Sequence, residues 1–140
     1  MADDTLPNWQ PISMLPKIAE LIDGELADAE EHYATLIQVR NRPHVLDDTT
    51  VQRSIKLHKD QLEFLWVFQE QLVRWRQAGL STQEHEEIER LSVQLGRLHT
   101  VLTDILVLAD ELRHCTIDKV LAKSDLELGI AALLSGIKRH

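Results

Sequence analysis

The stretch Ile88–Leu112, IERLSVQLGRLHTVLTDILVLADEL, decides the fold. Its residues Ile88, Leu91, Leu95, Leu98, Leu102, Ile105, Ala109 and Leu112 recur at intervals of three and four without a break. That spacing lines them up on one face of an α-helix, whereas a strand, with its period of two, would scatter them over both faces. The helix opens at Ser81, with Glu84 three residues on as the second half of a capping box. Past Val101 the stripe widens. Leu106, Val107 and Leu108 join Leu102, Ile105 and Ala109, leaving only Thr103 and Asp104 polar between Val101 and Ala109. A helix apolar nearly all round needs partners on several sides.

Two such partners lie upstream. From Ile12 to Arg40 the stripe is Leu15, Ile18, Ile22, Leu26, Ala29, Tyr33 and Leu36, with Pro16 tolerated in the opening turn and Arg42-Pro43 as the stop. A second helix follows Asp47-Asp48-Thr49, with Thr49 and Gln52 as its capping box, and ends before Gly79. Its buried face is Val51, Ile55, His58, Leu62, Leu65, Phe68, Leu72 and Trp75. The connections, at about 41–48 and 78–80, are short, so the three helices run up, down, up. Acidic, basic and acidic helices in that order predict ion pairs across the grooves between neighbours.

A short helix from Ile117 to Lys123, then another launched by Ser124 with Glu127 and ending at Gly136, closes the chain. Through Leu126, Ile130, Leu133 and Leu134 it is expected to cover the end that holds Tyr33, Ile55 and Ile105. The fold class is all-α: an elongated antiparallel three-helix bundle with a short C-terminal helical segment, four helices in total. Residues 1–11 form an N-terminal arm and residues 12–140 a single bundle domain.

Composition narrows the function. With 15 basic residues against 23 acidic ones the net charge is −8, which disfavours a phosphate-binding face and hence nucleic acid. The acidic amino terminus has no secretory signature, and the longest apolar runs, Phe64–Phe68 and Ile105–Ala109, fall far short of the ~20 residues of a membrane span. A cytoplasmic protein with no membrane partner is expected, its one cysteine reduced. No dinucleotide, phosphate-loop, nucleophile-elbow or zinc-protease motif is present; His85-Glu86-Glu87-Ile88-Glu89 has Glu89 where the second ligand histidine of a zinc protease belongs. Cys115 has His114 next to it in sequence, yet adjacent helical residues point about 100° apart. No catalytic residue is assigned and no cofactor is expected.

Two constellations remain. Folding the helices back on their turns brings His32, His58 and His99 to one level, with Asp28 and Asp104 within one to two turns. Imidazoles and carboxylates converging from facing helices are how bundles hold a transition metal such as Zn or Fe, which makes these five residues a candidate metal site. The other constellation is apolar: Trp9 in the arm, Trp66 and Val73 at the edge of the second helix, and Leu106 and Leu108 on the widened third helix form a candidate partner interface. The leading functional reading is a non-enzymatic helical interaction module, an adaptor or assembly protein that pairs with itself as a homodimer and with another protein. A metal-binding bundle is one alternative, and an acidic inhibitor that docks a basic partner through Glu20, Glu30 and Glu31 is another.

Overall fold

The computed structural model describes residues 7–42 and 45–122. A 3₁₀ turn, Ile12–Met14, leads into helix α1 (Leu15–Val39); α2 (Asp48–Arg76) and α3 (Thr82–Leu112) follow, and residues 117–122 are again helical. No strand occurs among the described residues, and the fold is an all-α helical bundle.

All eight residues of the α3 stripe are buried, Ile88, Leu91, Leu98, Leu102 and Ile105 completely. Leu108 is buried with them at 4% exposure, which corrects its assignment to a partner surface, while Val107 beside it is exposed and Leu106 half-buried. Ser81 and Glu84 form the predicted capping box, the Ser81 hydroxyl accepting from Glu84 N and the Glu84 carboxylate from Ser81 N. The start of α2 departs from expectation. Asp47, extended at φ −98° and ψ 164°, caps it by accepting from Thr50 N at 2.7 Å, so Thr49 is already helical and cannot cap.

The two outer helices both pack along α3 and scarcely approach each other. The ion pairs follow the same plan. Asp23–Arg90 and Glu30–Arg97, each 2.8 Å and each 67 residues apart, show α1 and α3 running parallel at constant offset. Arg40–Glu111 at 3.9 Å continues that line, and Arg76–Glu89 at 3.0 Å ties α2 to α3. No ion pair joins α1 to α2 among the described residues, contrary to the expected acidic-to-basic match. Lys56 and Arg74 of α2 pair with Asp60 and Glu70 on their own helix instead. Exposed pairs of this kind contribute only ~0–1 kcal/mol each, so they set register more than stability.

Beyond α3 the chain folds back onto the start of α2. The buried Thr116 hydroxyl donates to Asp48 Oδ1 at 2.6 Å, Asp48 N donates to Asp118 Oδ2 at 2.6 Å, and Ile117 N donates to Leu46 O at 2.7 Å. An otherwise unsatisfied N–H at the helix start is thereby paired. The predicted helix from Ser124 to Gly136, with Leu126, Ile130, Leu133 and Leu134 and the cover it was expected to provide, lies outside the described residues. One part of α3 is also long and apolar enough to match a membrane span in composition; that composition belongs to the helix that carries the core against two neighbours.

Gly24 and Gly96 sit inside α1 and α3, and a Cβ at either position would meet nothing within 4 Å. Gly24→Ala and Gly96→Ala are each expected to stabilise the protein by about 0.5–1 kcal/mol, because alanine has less backbone freedom to lose on folding. Urea unfolding checks this: the midpoint rises in both variants.

Candidate functional site: the open seam between α1 and α2

Because α3 separates them, α1 and α2 leave a seam along one side of the bundle, and two hollows open into it. Near the arm a space of about 530 Å³ is bordered by Trp9, Ile18, Leu21, Phe64, Val67 and Phe68. Near the α1–α2 turn a second, of about 320 Å³, is walled chiefly by Leu36, Val39, Leu46, Val51, Leu57 and Leu112. Large apolar side chains along the seam stay in solvent: Leu21 is 46% exposed, Leu57 56% and Phe64 54%.

The arm bolts across one end of the seam. Gln10 N donates to Gln71 Oε1 at 2.7 Å and Gln10 O accepts from Trp75 Nε1 at 2.9 Å. Gln71, buried at a position where an apolar residue would otherwise sit, is thus satisfied by backbone rather than by solvent. Trp9 stands edge-on to Trp66 with ring centroids 6.3 Å apart, and the Arg74 guanidinium lies 4.3 Å from the Trp9 ring centre, a cation–π contact.

Between the hollows two imidazoles meet across the seam. His32 of α1 and His58 of α2 have ring centroids 4.4 Å apart, and Ser54 lies between them. His58 Nδ1 donates to the Ser54 carbonyl at 2.6 Å; since a carbonyl only accepts, that nitrogen carries the proton. The Ser54 hydroxyl is 2.9 Å from His32 Nε2 and 3.3 Å from His58 Nδ1. Burial, and then the neighbouring His58, pulls the His32 pKa below its ordinary value of 6.5. On α1, Glu25 falls four residues after Leu21 and seven before His32, hence on their face. Burial, aided by Asp28, pushes its carboxyl above the usual range.

Chemically this cluster is a buried polar contact. A serine within reach of an imidazole is half of a nucleophilic pair, but Ser54 sits mid-helix, where neighbouring N–H groups are spent on the helix ladder and cannot hold an oxyanion. Of the five candidate metal ligands the structure brings together only His32 and His58. His99, Asp28 and Asp104 are exposed on outer faces, because Leu95, Leu98 and Leu102 take the inward positions of α3 and Leu26 and Ala29 those of α1. Among the described residues no group of three or more His, Cys, Asp or Glu is close enough to hold a metal ion.

The apolar candidates divide similarly. Trp66 at 51% and Val73 at 38% are exposed, Trp9 and Leu106 are partly covered, and Leu108 belongs to the core. Of the acidic candidates, Glu30 is engaged by Arg97 and Glu20 approaches Lys17 at 4.0 Å. Reading the sequence passed over Ser54, Gln71 and Glu25. The Ser54-to-His58 spacing of four residues was the available signal, since it places both on one helix face.

The lowered His32 pKa has a measurable consequence. A folded state that resists protonation binds fewer protons than the unfolded chain just below pH 6.5, so this contribution is complete above that pH and declines as the pH falls towards the folded pKa. The raised Glu25 carboxyl works oppositely, adding stability on acidification. The expected result is that His32→Gln loses less stability than the parent between pH 7.5 and pH 5.5 in urea unfolding; parallel pH profiles would refute it.

No protein-family model matches this chain, and neither a curated protein nor a solved structure does.

Proposed function

We propose that the protein is a non-enzymatic helical interaction module whose α1–α2 seam pairs with the same seam of a second copy. One observation carries the reading: the α3 stripe is buried against its two neighbours, while the seam leaves Leu21, Leu57 and Phe64 about half exposed beside two hollows. Size supports a second copy as the occupant. With α1 25 residues long, the face is ~37 Å by ~20 Å, close to the ~800 Å² per partner that a stable interface buries. A two-fold pairing places each seam on itself, so one apolar surface serves both sides. Such a role suits an adaptor or assembly protein acting in the cytoplasm.

Light scattering with size exclusion tests it. The parent is expected to run as a dimer at micromolar concentration, and the Leu21→Glu/Phe64→Glu double variant as a monomer with unchanged circular dichroism, because two carboxylates per copy would be buried unpaired in the joint. A parent that stays monomeric over the same range, or a double variant that stays dimeric, overturns the proposal.

A further inference from the structure

The hollow at the α1–α2 turn differs in kind from the rest of the seam. Its wall is aliphatic, and its volume of about 320 Å³ lies at the lower end of the range for small-molecule sites. An apolar space of this sort holds water poorly and accepts apolar guests. At ~30 Å³ per methylene, about the share of one water molecule in the liquid, it accommodates a chain of roughly ten carbons.

Polar groups gather at the rim, and most are already engaged. The Ser54 hydroxyl and His32 Nε2 are within hydrogen-bond distance of each other, and burial lowers the His32 pKa. Thr35 donates to Glu31 O within its own helix. Among the described residues Arg53 is the one charged side chain that lines the hollow; it is exposed, and it enters no ion pair or side-chain hydrogen bond there. Asp47, close enough to feel its charge, is committed to capping α2. Among the described residues no carboxylate lines the space. A greasy cavity whose lining includes Arg53, exposed and without an ion-pair partner among the described residues, is complementary to an aliphatic chain that ends in an anion.

We infer that this hollow binds a medium-chain aliphatic carboxylate, with the tail against Leu36, Val51, Leu57 and Leu112 and the head group on Arg53. The hollow opens into the same seam and shares Leu57 with it, so titration of the Leu21→Glu/Phe64→Glu variant beside the parent separates binding in the hollow from pairing through the seam. Each methylene buried tightens binding about fourfold, and the gain ends once the hollow is full, near ten carbons.

Isothermal titration of the full chain with hexanoate, octanoate, decanoate and dodecanoate, all below micelle formation, tests both halves. Expected are saturable one-to-one binding, affinity rising about fourfold per carbon up to decanoate, and a plateau at dodecanoate. Decanol should bind about tenfold more weakly than decanoate, and Arg53→Gln should remove that difference while leaving decanol unaffected. Val39→Phe, which fills the hollow, should abolish binding of both. No saturable heat with decanoate, or affinity that keeps climbing beyond ten carbons, overturns the cavity. Equal binding of decanoate to the parent and to Arg53→Gln overturns the assignment of the head group.

Discussion

Leu98→Ala is expected to destabilise the protein by about 3–5 kcal/mol, enough to remove a large share of an ordinary domain's stability. Leu98 is completely buried on α3, the one helix that both others pack against. Truncation there removes contacts on two sides, and neither neighbour can move in without losing its hold on the rest of the stripe. At ~2–4 °C per kcal/mol for a chain of this size, the thermal midpoint should fall by about 10 °C. Val93 on the same helix is 64% exposed, and Val93→Ala should change stability by less than about 0.5 kcal/mol. Thermal and urea unfolding of the two variants side by side decide the matter. Comparable losses would mean that α3 is not the shared core.

Trp75→Ala is the other large effect, about 3–5 kcal/mol, and it has a second signature. Trp75 is buried in α2 and its indole N–H is donated to Gln10 O, so the residue fills the core and fastens the arm with one side chain. Its loss should free residues 7–11 as well as weaken the bundle. Hydrogen exchange reads this directly: the Gln10 amide, held by Gln71 Oε1, should exchange much faster in Trp75→Ala. Trp75→Phe separates the two roles. It keeps most of the apolar volume and gives up the N–H, so it should cost only about 1 kcal/mol while still accelerating exchange at Gln10. Unchanged exchange in both variants would show that the arm is held by Trp9 on Trp66 and Arg74 alone.

The legibility of each element follows from how local its causes are. For α3, every stripe residue from Ile88 to Leu112 and the Ser81–Glu84 cap could be read directly, because helix periodicity and capping act within four residues. The start of α2 lies two residues earlier than the Thr49–Gln52 capping box predicts. Asp47, Asp48 and Thr49 are all competent caps, and the choice among them came from contacts with residues about 70 positions away: Thr116 and Asp118 both engage Asp48. The histidine layer forms only in part, with His32 and His58 together and His99 apart, for a related reason. Counting through two turns gives height along the bundle but not rotation about each helix axis. His58 lay on a stripe and turned inward to meet His32, while His99, one residue past Leu98, turned to solvent.

The apolar surface shows the same division. The surplus on α3 near Leu106 and Leu108 points to a partner, yet Leu108 is absorbed within the bundle while Val107 stays exposed, and further apolar area lies between α1 and α2, around Leu21, Leu57 and Phe64. How much area is left over is a property of composition. Where it lies depends on which pairs of helices touch, and in this fold α3 takes both contacts.

By itself, the spacing of apolar side chains determined that this chain makes three long helices, where they begin and end to within about three residues, and which face of each turns inward. Only tertiary structure decided that α3 is the shared helix, that α1 and α2 stand apart, and that His32, Ser54, Arg53 and the two hollows are gathered along one seam. The physical reason is range. Periodicity and capping are settled between neighbours along the chain, whereas the choice of partner, and the rotation that goes with it, is settled by side-chain packing between residues far apart in sequence.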